Sequence, residues 1–407
     1  MSDGPLDPGE AGADIEDADG ALRRIRRSIH AHPETGFEEV RTSRLVAETL
    51  RALGIEVHEG IATTGVVGVL KGTAAGGHGR RRAIALRADM DALHITEENA
   101  FEHRSRVPGK MHACGHDGHT AMLLGAARCL AQRQFSGTLY FVFQPAEEHL
   151  AGARAMLAAG LFERFPCDAI YGMHVRPGYP AGHFCTRRGP LFAASDRWLV
   201  TFSGSGGHGG SAVHTATDPT LALGHFLLGL HSIVARNVPA TDTAVLSVGH
   251  IAAGDEASPN VIPSTAVVGG TARSFRPEVR GILENRLAGL AQSVAQAHGC
   301  RAAAQYTRGY PPVVNSDRET DAALAAATAA AGMECVVGDM EPRTASDDFA
   351  FYLEQRPGAF VMIGNGLDSD GKFHGVHTPK FDFNDEIIVP GVRYWVELAL
   401  REMRSGH

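Results

Sequence analysis

Five short apolar runs constrain this chain more than any other feature. They lie at Val66–Leu70, Ala83–Leu86, Leu139–Phe143, Ala169–Met173 and Ala359–Ile363. Each has the length of a buried strand, and most are separated by stretches with helical spacing. Strands alternating with helices imply an α/β layer around a largely parallel sheet. In such sheets ligands gather beyond the carboxyl ends of the strands. The polar residues at those ends are Asp89 and Asp91, Glu147 and Glu148, His174, and the His374–His377 segment.

The middle of the chain reads differently. Arg197–Ser203 alternates like a half-solvated strand, and Ala244–His250 and Ala266–Ser274 are similar. Helical stretches at Pro219–Ala235 and Pro277–His298 lie among them. Such a mixture suggests a smaller α+β domain inserted into the first. The expected division is residues 21–189 and 308–407 for the two parts of the larger domain, with 190–307 as the insertion. Upstream, helical spacing begins at Leu22, is interrupted at His32-Pro33, and stops at Gly54. Residues 1–20 hold seven acidic residues, no basic one and no apolar core. They read as a mobile acidic lead-in and not as a secretory signal.

At 407 residues the chain exceeds what one hydrophobic core usually supports. A net charge of −8 argues against a broad nucleic-acid surface, and no apolar stretch approaches the roughly 20 residues of a bilayer span. Neither nucleic acid nor membrane is an expected partner. The six cysteines form no C-x-x-C pair, so a reducing cytoplasm is the default compartment. The 21 histidines are the anomaly, and their spacing decides what they mean.

The densest cluster is His112-Ala113-Cys114-Gly115-His116-Asp117-Gly118-His119. A thiolate and several imidazoles so close together suit zinc, manganese or cobalt-type ions. The apolar run Ala121–Leu130 after it looks helical, with Asp117 or Thr120 near its N-cap. A bland reading also exists, a buried cysteine with surface histidines at a helix start. Glu147 and Glu148 directly follow a strand, so adjacent carboxylates can divide the labour of hydrolysis, one holding metal and the other taking a proton from water. An isolated Glu-Glu pair is otherwise an exposed acidic turn. His174 ends one strand and His377 follows another. Asp89 and Asp91 could be ligands or could orient ligand imidazoles, and the second role is favoured.

The ordered segments "RRSIHAHPETGFEE", "LRADMDAL", "HACGHDGHTAMLLGAA", "FQPAEE", "YGMHV", "NVIP" and "HTPKFDFND" resemble the metal-dependent amidohydrolases of the aminoacylase/carboxypeptidase superfamily. Within it the chain is most similar to hippurate hydrolases, N-acyl-amino-acid amidohydrolases and the enzymes that hydrolyse auxin–amino acid conjugates. The resemblance covers about residues 23 to 390. It implies a metallopeptidase-like catalytic domain with an inserted lid or dimerisation domain, and two divalent ions of unspecified identity. It implies hydrolysis of the amide of an N-acyl amino acid by a metal-activated water, in a homodimer or higher homo-oligomer. By motif, Cys114, His116, Glu148, His174 and His377 match metal ligands, with Cys114 bridging, and Glu147 matches the general base. His374 and His119 are then neighbours. His208 matches a histidine that reaches a partner's active site; otherwise it caps a glycine turn. Asn260 and Arg273 match groups that hold the substrate carboxylate or lid, against the plainer readings of a loop cap and a surface arginine.

Three departures bear on specificity. His94 stands where the family has proline, "GGSAVHTATDP" after His208 is one residue longer and lacks its proline, and His149-Leu150 replaces glycine after "PAEE". A dipeptidase or amino-acid carboxypeptidase is the near alternative. A non-catalytic metal-binding scaffold or sensor is the distant one, and Glu147 argues against it.

Overall fold

The computed structural model describes residues 8–74, 82–148, 151–211, 213–367 and 371–404. They form two compact units: Met1–Gly189 with Val314–Glu341 and Asp348–His407, and Pro190–Val313 with Pro342–Asp347.

The first unit is built on an eight-stranded sheet. Its strands include β1 (Glu56–Ile61), β2 (Gly65–Lys71), β3 (Ala83–Asp89), β4 (Thr138–Gln144) and β5 (Ala169–Pro177). The spatial order is β1-β2-β4-β3-β5, then Gly358–Gly366, Phe184–Cys185 and Val336–Val337. The central β4, β3, β5 and Gly358–Gly366 are parallel neighbours, while β1–β2 and β2–β4 are antiparallel. All five apolar runs are therefore strands, and the large sheet is mainly parallel. Helices α1 (Pro8–His30), α2 (Val40–Ala52) and α3 (His116–Ala131) flank it with Ile388–Arg404. Phe141, Phe143, Tyr171 and Trp395 are among the largest side chains of the buried core.

Two sequence expectations change. Helix α1 begins at Pro8, inside the stretch expected to be a mobile lead-in; residues 1–7 lie outside the described residues. Helix α3 starts at His116, with Gly115 as its N-cap at φ 85 and no side-chain cap, not at Asp117 or Thr120. The cause is packing, because Asp117 is spent on a buried ion pair with His30. Gly115 supplies a left-handed backbone, and a Cβ at Gly118 would lie 2.0 Å from the Phe383 ring. The glycines of the cysteine–histidine cluster thus let α3 start close against Phe383.

The second unit has a four-stranded antiparallel sheet in the order Ala244–Ala253, Thr265–Ser274, Ala194–Ser203, Arg301–Tyr310. Helices Pro219–Asn237 and Pro277–Ala297 pack on it around Trp198, Phe202, Phe226 and Leu287. Asp218 caps the first of these helices by accepting the Thr220 N–H at 2.8 Å, and Pro219 opens it. Strand Arg301–Tyr310 has no apolar alternation and is mostly exposed, which is why sequence periodicity passes over it. It carries this unit past residue 307, to Val313. Among the described residues no helix is long and apolar enough to cross a membrane.

Candidate metal centre

The carboxyl ends of β3, β4 and β5, the start of α3 and the loop before Phe381 bring the cluster together. Among the described residues, overlapping groups have their ligand-type atoms within 4.8 Å of one another, including Cys114, His116 and His174; Cys114, Glu148 and His377; His116, Glu147 and Glu148; and Asp89, His116 and His119. Cys114 Sγ is 3.3 Å from both His174 Nε2 and His377 Nε2. His377 Nε2 is 3.0 Å from Glu148 Oε1. His377 sits at φ 62, and its N–H donates to the Ala113 carbonyl at 2.7 Å, so a strained backbone is held where the imidazole meets the thiol.

Hydrogen bonds decide which ring nitrogen each histidine presents. His174 Nδ1 lies 2.7 Å from the Val175 carbonyl and must donate, which leaves a lone pair on Nε2 facing Cys114. His116 Nδ1 lies 2.9 Å from the Asp91 carbonyl and 3.2 Å from Asp91 Oδ1. Its Nε2 is buried without a hydrogen-bond partner. His119 differs. Its Nε2 accepts the Val175 N–H at 3.0 Å and its Nδ1 donates to Asp89 at 2.6 Å, so both nitrogens are spent. His374 is exposed and joins none of the ligand groups.

Asp91 joins two of the ligand-bearing segments, because its Oδ2 also accepts the Glu148 N–H at 2.9 Å. Asp89 is held by Arg87 at 2.6 Å, and the fully buried Arg87 also reaches Gln144 at 2.8 Å and Asp348 at 3.1 Å. The Asp348 N–H donates to Glu147 at 3.3 Å. Arg87, Gln144 and Asp348 are the residues that sequence reasoning missed. Arg87 stands inside "LRADMDAL", and a charged residue in mid-strand is the signal that could have found it.

The charges fit a cation. Burial and then Glu148, Glu147 and Asp89 push the Cys114 thiol well above its usual range. Burial also acts against a charged His116, yet Asp89, Asp91 and Glu148 outweigh it and raise the imidazole to about 10. Burial, with His119 next, drives His174 well below the usual imidazole value. A thiol, a bare imidazole nitrogen and surplus carboxylate negativity are what a divalent ion of the zinc type satisfies.

Behind this cluster His30 lies between Asp117 at 2.8 Å and Glu97 at 3.2 Å. Burial works against its charge, but Asp117 and both hydrogen bonds hold its value at about 9.

In the second unit His208 pairs with Val261 in a two-stranded ribbon, and the Gly209 N–H donates to the Asn260 carbonyl at 2.7 Å. His208 Nδ1 accepts N–H groups from Gly210 at 3.0 Å and Ser211 at 3.2 Å. A neutral His208 therefore carries its proton on Nε2 and presents a donor. Arg273 is half-buried and lies opposite Ser195 and Val245, eight residues along the strand from Thr265. At about 3.4 Å per residue it stands about 27 Å from the end that adjoins Asn260 and His208. The unit brings His208 and Asn260 together and keeps Arg273 apart. His94 is exposed, while His149-Leu150 and Ala212 lie outside the described residues.

Residues 85–401 match the model of peptidase family M20/M25/M40. The chain belongs to that family. A family relative, the hippurate hydrolase of Campylobacter jejuni, is 37% identical over 391 residues, covering 96% of this chain and 99% of its own length. Thermostable carboxypeptidase 1 of Saccharolobus solfataricus is 34% identical over 394 residues, 95% of this chain and 97% of that one. Among solved structures, a dinuclear metal-binding M20 peptidase of Bacillus subtilis superposes with a TM-score of 0.83 at 34% identity, over 96% of this chain and 99% of that one.

Proposed function

We propose that this chain hydrolyses the amide bond of N-acyl amino acids at a two-metal centre. As a member of the family it is a hydrolase of amide bonds. The observation that carries the fuller reading is Cys114, placed 3.3 Å from two imidazoles and shared by two of the ligand groups. Cys114, His116, Glu148, His174 and His377 would hold the ions, with Asp89 and Asp91 orienting the imidazoles from behind. Two divalent ions bound there would supply Lewis acidity to acidify a water and polarise the amide carbonyl.

The protein's own groups do the rest. Glu147, beside His116 and Glu148, takes a proton from the attacking water and returns it to the nitrogen as the C–N bond breaks. His208, with its proton on Nε2, donates to the oxyanion of a neighbouring subunit's substrate. Asn260, beside His208, holds the substrate carboxylate or the lid, and Arg273, far along the strand, would have to act apart from it. The second unit is thereby a dimerisation or lid domain in a homo-oligomer. Six free cysteines support a cytoplasmic setting.

The test is a hydrolysis screen of N-acetyl and N-benzoyl amino acids with zinc, manganese and cobalt supplied separately. Turnover should need a metal and vanish reversibly with a chelator. Metal-independent turnover would sink the reading. The end-to-end match to a carboxypeptidase favours dipeptides as the second class in the screen.

A further inference from the structure

We propose that Glu39 is a positioning residue for this centre: its buried carboxylate clamps the left-handed Pro145–Ala146 turn that carries Glu147 and Glu148. The inference rests on the roles given above to those two carboxylates.

Glu39 is completely buried, just ahead of α2, and belongs to none of the ligand groups. Its Oε1 accepts the Ala146 N–H at 2.8 Å, across 107 residues of sequence. Its Oε2 accepts the Thr64 hydroxyl at 2.6 Å. Burial raises this carboxyl to about 7, and the bonds from Thr64 and Ala146 offset only part of that cost.

Ala146 is what needs holding. Its φ is 56, a conformation that an L-residue with a Cβ avoids and that persists only where the surroundings impose it. The surroundings here are specific. The Ala146 carbonyl accepts the Gly152 N–H at 2.9 Å, and a Cβ on Gly152 would come within 1.7 Å of the Pro145 carbonyl oxygen. A Cβ on Gly65 would lie 3.2 Å from Pro145 Cδ. Glycines at 65 and 152 thus let the chain close around the turn, while Glu39 holds the N–H of its strained residue. If Ala146 relaxed to φ below zero, the peptide planes leading into Glu147 and Glu148 would turn. The base and a ligand would be misplaced together.

Two roles for Glu39 can be separated. It could anchor the β1–β2 hairpin through Thr64, or it could set the conformation of Ala146. Replacing Ala146 by glycine removes the Cβ penalty and lets the turn stay left-handed without a clamp. Partners that orient metal-site groups are typically worth about 10–100-fold in affinity or activity.

The experiment compares the wild-type holoenzyme with Glu39→Ala, Glu39→Gln, Ala146→Gly, Thr64→Val and the double variant Glu39→Ala/Ala146→Gly. Readouts are kcat and KM, and zinc affinity of the metal-free protein by competition with a chromophoric chelator. Glu39→Ala should lower kcat about 10–100-fold with KM within about threefold, and should weaken zinc binding about tenfold or more. Glu39→Gln, whose amide oxygen can still accept the Ala146 N–H, should stay within about threefold of wild type in both readouts. The double variant should recover most of what Glu39→Ala lost in both.

Unchanged kcat and zinc affinity in Glu39→Ala would overturn the proposal. So would losses that Ala146→Gly leaves unrelieved, which is the signature of a plain structural anchor. Should Glu39→Ala fail to fold, Thr64→Val decides: retained kcat supports the clamp on Ala146, and a fall of tenfold or more assigns Glu39 to the hairpin. Wild-type protein inactive on every acyl amino acid and dipeptide would instead sink the proposed reaction, and the zinc titrations would still report on Glu39.

Discussion

The two units treat histidine in opposite ways. In the first, His116, His119 and His174 are buried or half-buried, and each has at least one ring nitrogen committed to a backbone or carboxylate partner within 3.0 Å. In the second, His208 is exposed and its ring accepts N–H groups of its own loop, while His225 and His298 meet each other at 2.6 Å near the surface. Burial gives these three imidazoles one defined job each, since an unpaired nitrogen there is costly and the partner fixes the tautomer, whereas His377 stays half-exposed. The second unit offers a donor without a surrounding centre. The candidate ligands and Glu147 all lie in the first unit.

That contrast can be broken most severely at Glu147. Glu147→Gln should cut turnover by about 10²–10⁴-fold while metal content stays at the wild-type level. Near-normal turnover would mean that another group is the base.

The next largest effect tests whether the second unit also depends on buried charge. Arg280 and Asp196 form a buried pair at 2.8 Å, completed by Tyr306 and the Gly309 N–H. Arg280→Ala leaves Asp196 without its cation and should cost about 3–5 kcal/mol. Denaturant unfolding followed at Trp198, in a Trp395→Phe background, reads this unit alone. A loss below 1 kcal/mol would show that the pair is dispensable.

His208→Ala should cost about 2.7–4 kcal/mol of transition-state stabilisation without changing metal content. Mixing it with Glu147→Gln chains under subunit exchange sharpens the result. Partial return of activity means that His208 serves a neighbour's centre, and a mixture that stays inactive refutes that arrangement.

The smallest effect is a pH dependence behind the metal cluster. His30 titrates near 9 in the folded protein against a usual 6.5, so the folded state favours the protonated form. Its contribution is fully present below pH 6.5 and disappears as pH rises through 9. The shift corresponds to about 3 kcal/mol. Thermal melts between pH 6.5 and 9 should fall more steeply for wild type than for His30→Gln. Parallel slopes would remove His30 from the network.

Much of this was legible in the chain itself. The five apolar runs became strands of one sheet, and the polar residues after them lie at its carboxyl end, because strand length and hydrophobicity are local properties. Cys114, His116, Glu147, Glu148, His174 and His377 could be picked out by type and position. Their grouping spans 263 residues between Cys114 and His377 and needed the topology of the sheet. Strand Arg301–Tyr310 went unseen because it is paired mainly through its backbone, which leaves no mark in the side-chain pattern.

By itself the sequence determined the α/β class, and it pointed to a second unit and to a set of candidate metal ligands. Tertiary structure alone decided that His119 is spent and His116 is not, that α3 is capped at Gly115, and that Arg273 stands far from Asn260. It alone revealed Arg87, Asp348 and Glu39 behind the centre. The reason is physical. Apolar periodicity is written along the chain, whereas a buried polar group is defined by whichever partner the fold delivers to it, and that partner is commonly a hundred residues away.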